Sequence, residues 1–158
     1  MRPLLFQRPW LLALLALAAL LASFDGTLSG GGSGLAETGS AEETQQLLQG
    51  TWLREAAADG IQARRILVLG AGGRFQESVR VTDAEGREHR YEHEGTWLFD
   101  GTNLKRKYTL MDGKPPSRLN VPFATFQLAI ESRNAFTGTD NIRGHVVRYT
   151  RVDDGTRP

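Results

Sequence analysis

The chain has 158 residues, with 19 basic and 18 acidic side chains and no cysteine, so its length suits one domain. The absence of cysteine excludes disulfide scaffolds, cysteine-ligated metal centres, thiol catalysis and acylation at an N-terminal cysteine. The near-neutral charge argues against nucleic acid as the main partner, because binding a polyanion needs a basic face.

Residues 1–22 predict an export signal. Arg2 and Arg8 flank a short charged start, and thirteen apolar residues follow, ending at Ala22. A bilayer span needs about 20 apolar residues, so this run is typical of a secretory signal. Leu20 stands at a position where signal cleavage favours a small residue, so the alternative is an uncleaved anchor. In that case this segment is the only expected contact with the membrane. Both alternatives place the domain outside the cytoplasm, in the periplasm or cell envelope.

Residues 23–39 predict a flexible linker. Within them, residues 29–34 are only glycine and serine, and such side chains have nothing to bury. The folded domain is therefore predicted over residues 40–154.

A short helix is predicted at the start of this domain. Ser40 and Glu43 have the spacing of a capping box, in which the hydroxyl and the carboxylate satisfy free backbone donors. The helix is predicted from about Ala41 to Leu48, and Gly50 ends it.

From Gly50 onward, apolar and β-branched residues alternate with polar ones, and turn residues separate the runs. The predicted strands cover residues 50–57, 63–70, 73–82, 87–99, 102–111, 121–131, 133–138 and 142–152. Short turns between them predict an antiparallel meander, and closure removes exposed sheet edges. The predicted fold class is all-β: an eight-stranded antiparallel up-and-down barrel preceded by one short α-helix.

A Gly-Thr-Trp sequence, Gly50 to Trp52, opens the first predicted strand directly after the helix. In this respect the chain resembles lipocalin-like (calycin-type) domains, in particular small exported bacterial ones, where the sequence recurs in mid-barrel as it does here at residues 95–97. The resemblance implies that Gly50 and Trp52 help to close one end of the barrel. It also implies that a basic residue of the last strand, Arg148 or Arg151, covers the tryptophan.

Turn lengths predict the register of the central strands. A three-residue loop at residues 84–86 places Glu77 opposite His93, and a two-residue turn at 100–101 places His93 opposite Tyr108. The candidate ligand-binding residues are inward-facing aromatic and polar side chains of the third to sixth predicted strands: Phe75, Glu77, His93, Arg106, Tyr108 and Phe126.

The same turn at 100–101 places Arg106 opposite Gly95 and Trp97 opposite Leu104. An inward Glu or Arg costs several kcal/mol unless it is paired. One interpretation is therefore an internal network that satisfies itself, or a bulge that turns Glu77 outward. The other is a polar patch on a cavity wall that orients an amphipathic ligand.

Residues 89–93 match the His-x-x-Glu-His string of some zinc proteases, which requires a helix. In a strand the two histidines lie about 13 Å apart, at about 3.3 Å per residue, so they cannot chelate one ion. The sequence predicts no metal site, no cofactor and no catalytic residue.

Together these features predict an exported binding module that holds a small, largely apolar or amphipathic ligand inside its barrel. The alternative is a structural or protein-interaction domain of the cell envelope with a solid-packed barrel, and an enzyme is the third possibility.

Overall fold

The computed structural model describes residues 41–117, 122–140 and 142–158. The signal predicted at residues 1–22 and the linker predicted at 23–39 lie outside these described residues. In the described ranges, no helix is long and apolar enough to cross a bilayer.

The described chain contains one helix followed by eight strands. They are α1 (Ala41–Leu48), β1 (Gly50–Ala58), β2 (Ile61–Leu69), β3 (Arg74–Thr82), β4 (Glu88–Phe99), β5 (Asn103–Met111), β6 (Phe123–Ser132), β7 (Ala135–Asp140) and β8 (Val146–Val152). Consecutive strands pair antiparallel, and β8 pairs back onto β1 to close the barrel. The predicted fold class is confirmed, and the largest difference in strand limits is at β8, predicted from residue 142 and found from Val146.

The β3–β4 connection is the predicted three-residue loop. The Asp83 amide donates to the Arg87 carbonyl at 3.0 Å, and the Gly86 amide donates to the Asp83 carbonyl at 2.9 Å. Gly86 has a φ of 79°, as this loop type requires. The pairing of Glu77 with His93 follows and is confirmed.

The β4–β5 turn lies one residue later than predicted. The Asp100 amide donates to the Asn103 carbonyl at 3.1 Å, which leaves Gly101 and Thr102 as the two turn residues. The Asp100 carboxylate fixes this arrangement, since it accepts hydrogen bonds from the amides of Asn103 at 2.7 Å and Thr102 at 3.1 Å. The register therefore moves by two positions, which keeps every side chain on its predicted face.

This shift corrects two predicted pairs. Trp97 pairs with Arg106 instead of Leu104, and Gly95 pairs with Tyr108 instead of Arg106. Arg106 still points inward, because a shift of two preserves the alternation of the strand.

A β-bulge directly before Gly95 changes the register again. Beyond it His93 pairs with Met111, so the predicted pairing of His93 with Tyr108 is wrong. A side chain at Gly95 would collide with the Lys107 carbonyl, because the two backbones come unusually close here. The bulge depends on a contact with the neighbouring strand, which the local sequence does not reveal.

One end of the barrel, called the closed end below, is covered by α1. Trp52 is fully buried there, and its indole N–H donates to the Leu48 carbonyl at 2.7 Å. The Arg151 guanidinium lies 4.2 Å from the centroid of the Trp52 ring, a cation–π contact. It also donates to the carbonyls of Leu47 and Gln49, at 2.5 and 2.8 Å, which satisfies acceptors at the C-terminal end of α1.

The two basic residues predicted to cover Trp52, Arg148 and Arg151, lie on opposite faces of β8. Arg148 points outward and pairs with Glu131 at 2.8 Å on the exposed surface, so its predicted part in closure is wrong. Arg151 alone of the two covers the tryptophan. Gly50, with a φ of 121°, leaves the space that the Arg151 guanidinium occupies, because a side chain there would collide with it.

The closed end is filled by a packed apolar core, in which each side chain is at most 5% exposed. This core contains Leu48, Trp52, Leu67, Leu69, Phe75, Trp97, Leu104, Phe136, Val147 and Tyr149. The opposite end, called the far end below, carries the β1–β2, β3–β4, β5–β6 and β7–β8 connections.

Candidate functional site

The interior changes from apolar to charged directly beyond the closed-end core. Along β1 and β2, the inward pair after Trp52 is Arg54 opposite Arg65, and the next is Ala56 opposite Ala63. Successive inward positions are two residues apart, so all of these side chains share the interior face. A charged layer therefore follows the apolar closed end, and the next inward pair of β1 and β2 towards the far end is Ala56 and Ala63.

Glu77 is the centre of this layer and is fully buried. Its carboxylate accepts hydrogen bonds from Arg106 Nη1 at 2.5 Å and from the Tyr108 hydroxyl at 3.5 Å. It also pairs with Arg65 Nη1 at 2.9 Å and lies 3.0 Å from His93 Nδ1. The structure thus brings four predicted residues together, although the predicted strand pairing of His93 with Tyr108 is wrong. We define the polar layer as Arg54, Arg65, Glu77, His93, Arg106, Tyr108 and Tyr149.

The charge state of Glu77 follows from its partners. Burial alone would raise the pKa of Glu77, but Arg65, Arg106 and the hydrogen bond with His93 hold it well below its usual value. Burial raises the pKa of Tyr108 to about 12, against the opposing effect of Arg106. Glu77 is therefore ionised, and the Tyr108 hydroxyl keeps the proton that it donates.

The arginines of the layer are not equally compensated. Burial would lower the pKa of Arg65 and of Arg106, but nearby groups that include the Glu77 carboxylate raise both above the usual value. Burial lowers the pKa of Arg54, and the positive charge of Arg65 adds to this effect. Within the described residues, Arg54 has no carboxylate at ion-pair distance.

Aromatic rings hold the Arg106 guanidinium in place. Its central carbon lies 5.4 Å from the centroid of the Phe75 ring and 5.6 Å from those of Tyr108 and Phe126. Phe75 and Tyr108 meet edge to face at 5.2 Å. Phe75 and Phe126, the remaining two of the six predicted ligand-binding residues, therefore border the polar layer.

Sequence reasoning missed three members of the layer, Arg54, Arg65 and Tyr149, because no face was assigned to the strands that carry them. The signal was available in the alternation of those strands. Trp52 and Leu67 are inward, so Arg54 and Arg65, two positions away on the same strands, must be inward as well.

Several side chains of the interior keep solvent-accessible surface although they point inward. The Arg65 side chain is 15% exposed, and Arg54, Tyr108 and Phe126 are only partly buried. The core beneath them is closed, so solvent reaches this surface from the far end. Solvent therefore still reaches part of the polar layer, although Val79, the next inward residue of β3 after Glu77, is buried.

Comparison of the chain with protein-family models and with curated proteins finds no match. In the part of the chain that the structure describes, no group of histidine and carboxylate side chains is arranged to hold a metal ion.

Proposed function

We propose that this protein is an exported, lipocalin-like binding module that holds a small amphipathic molecule inside its barrel. The kinship with lipocalin-like domains is supported by the eight-stranded up-and-down topology of the described chain. It is supported further by the short helix before Gly50 and by the cover that Arg151 forms over Trp52.

The observation that carries the proposal is the partly accessible polar layer above a filled apolar core. Binding sites for small molecules are typically concave and mostly apolar, with a few polar groups that fix orientation. Here aromatic side chains such as Phe126 supply apolar surface, and Arg54, Arg65 and Tyr108 supply polar groups that solvent can still reach.

The far end of the interior favours a binding module over a barrel that is packed solid. Ala56 and Ala63 are opposite each other on the inner face there, and this pair of small side chains takes up little of the interior. A buried ionic layer is also a poor source of stability, since apolar replacements are often neutral or stabilising. Its presence is better explained by recognition of a ligand.

Native mass spectrometry of the exported full-length protein tests this proposal. We expect a bound small molecule whose mass is lost under denaturing conditions. Ala56→Trp or Ala63→Phe should fill the space and abolish the added mass, whereas Ala57→Trp, on the exposed outer face, should retain it. Thermal unfolding shows which variants are folded. If the wild-type protein carries no ligand and both filling variants are more stable than it, the barrel is an incompletely packed structural domain and the proposal is wrong.

A further inference from the structure

We infer that the ligand has an oxyanion head group, a carboxylate or a phosphate, which binds against Arg54, Arg106 and Tyr149 with its apolar part directed towards the far end. The inference rests on the proposed function and extends it by naming the head group and its orientation.

The polar layer carries an excess of positive charge. Arg54 and Arg65 are directly opposite each other on paired strands, and like charges in this position destabilise a sheet. The single carboxylate of the layer, Glu77, is already shared between Arg65 and Arg106. Arg54 is left without a counter-ion in the described chain. An anion bound beside it would supply the missing negative charge.

Two buried polar atoms of the interior are not satisfied by hydrogen bonds. Arg106 Nε and the Tyr149 hydroxyl are inaccessible to solvent and make no hydrogen bond of standard geometry, although the Tyr149 side chain interacts with Arg54. Both residues are only 2% exposed, and buried polar groups are nearly always hydrogen-bonded. Leu53 pairs with Thr150, so Arg54 and Tyr149 are the next positions along β1 and β8.

The chemistry of these groups selects an acceptor. A guanidinium has only N–H donors, and a tyrosine hydroxyl donates readily to an anionic oxygen. Arg54 and Tyr149 are the next positions along the paired strands β1 and β8, and Tyr149 also acts on the pKa of Arg106. An oxyanion placed among these three groups would accept a hydrogen bond from each of them. A water molecule could satisfy Arg106 Nε and Tyr149, but it would leave the excess charge uncompensated.

The orientation of the ligand follows from the packing. The closed-end core leaves no space below the polar layer, since its side chains are at most 5% exposed. Towards the far end, the next inward pair of β1 and β2 is Ala56 and Ala63, whose side chains are small. The apolar part of an amphiphile that binds by its head group must therefore extend in that direction.

Isothermal titration of the full-length protein, after removal of any co-purified molecule, tests the head group directly. Laurate, dodecyl phosphate and dodecanol share one alkyl chain and differ in the head. We expect laurate or dodecyl phosphate to bind at least about tenfold more tightly than dodecanol, because charge-assisted hydrogen bonds are the strong ones. The tighter of the two identifies the oxyanion as carboxylate or phosphate.

Two interior variants assign the binding groups. Arg54→Met and Tyr149→Phe should each weaken binding of the anion about tenfold, without changing dodecanol binding or lowering the melting temperature. Arg64→Met is the matched control, because this arginine lies on the outer face and pairs with the exposed Glu55. It should leave binding of the anion unchanged.

The outcomes separate this inference from the proposed function. If dodecanol binds as tightly as both anions, or if Arg54→Met leaves anion binding unchanged, the inference is wrong and the binding module stands. If none of the three compounds binds while native mass spectrometry shows another ligand without an anionic head, the head-group inference is wrong but the proposed binding function stands. If no compound binds and no ligand is found, both proposals fail.

Discussion

Replacing Glu77 by glutamine removes the carboxylate of the polar layer and keeps the size of the side chain. The substitution leaves the buried guanidiniums of Arg65 and Arg106 without their counter-ion. Two hydrogen bonds to charged groups, at about 1.5–3 kcal/mol each, give a loss of about 3–6 kcal/mol. Removing one partner of a buried ion pair costs about 3–5 kcal/mol, which agrees with this loss. We therefore expect the free energy of unfolding to fall by about 4–5 kcal/mol.

Urea unfolding, followed by the fluorescence of the buried Trp52 and Trp97, measures this loss. Glu55→Gln is the control, because Glu55 forms an exposed ion pair on the outer face and should change the free energy of unfolding by less than about 1 kcal/mol. A loss for Glu77→Gln no larger than that of the control would refute the argument that this carboxylate balances the interior arginines.

Apolar replacement of the whole cluster should reverse most of the loss. Glu77→Leu combined with Arg106→Met still leaves Arg65 without a partner, so this double variant should recover only part of the stability. Adding Arg65→Met removes the last charge that Glu77 had compensated, and should bring the protein close to wild-type stability. The reasoning fails if the double and triple variants have the same free energy of unfolding.

The same carboxylate should make the protein sensitive to acid. The pKa of Glu77 is lower in the folded than in the unfolded state, so its contribution to stability is fully present above the ordinary carboxyl pKa of 4.5. That contribution is lost as the pH falls towards the folded pKa. The groups that face Glu77 are Arg65, His93, Arg106 and Tyr108. Urea unfolding between about pH 6 and pH 3 should show a steep loss for the wild type and a shallower one for Glu77→Gln.

Three further predictions concern the bulge, the closed end and the N-terminus. Gly95→Ala should lower the free energy of unfolding in urea by about 1–3 kcal/mol, because the new methyl group collides with neighbouring backbone. The control Gly72→Ala, which has open space around it, should change that free energy by less than about 0.5 kcal/mol. Trp52→Ala should cost about 3–5 kcal/mol, and an unchanged melting temperature would contradict its role in closure. N-terminal sequencing of the exported protein should find a start near Ser23, whereas an intact Met1 in the membrane fraction would establish an anchor instead.

The fold could be predicted from the sequence because its determinants are local. Alternation of apolar and polar residues gives both the strands and their inward faces, and glycine and aspartate mark the turns. The helix from Ala41 to Leu48 was likewise predicted from its capping residues. Even the misplaced turn at Asp100 left the interior face correct, since it moved the register by an even number of residues.

The details of the site depended on information that is not local. The pairing of His93 with Met111 combines the displaced turn, which moves the register by two positions, with the bulge before Gly95, which moves it by one more. Glu77 and Arg106 meet in the interior, although they lie on strands that are not neighbours in the barrel. Alternation along β1 alone would have predicted that Arg54 points into the polar layer. That Arg54 has no counter-ion could be seen only once the positions of all the interior charges were known.

Because the first and last strands close the barrel, folding can be completed only late in the assembly of the chain. Thr51 pairs with Val152 and Leu53 pairs with Thr150, so β1 receives its second neighbour only from the end of the chain. Contacts between such distant residues slow folding, and until they form the outer edge of β1 remains unpaired. The native barrel therefore cannot close until β8 is present, however early the intervening strands have paired.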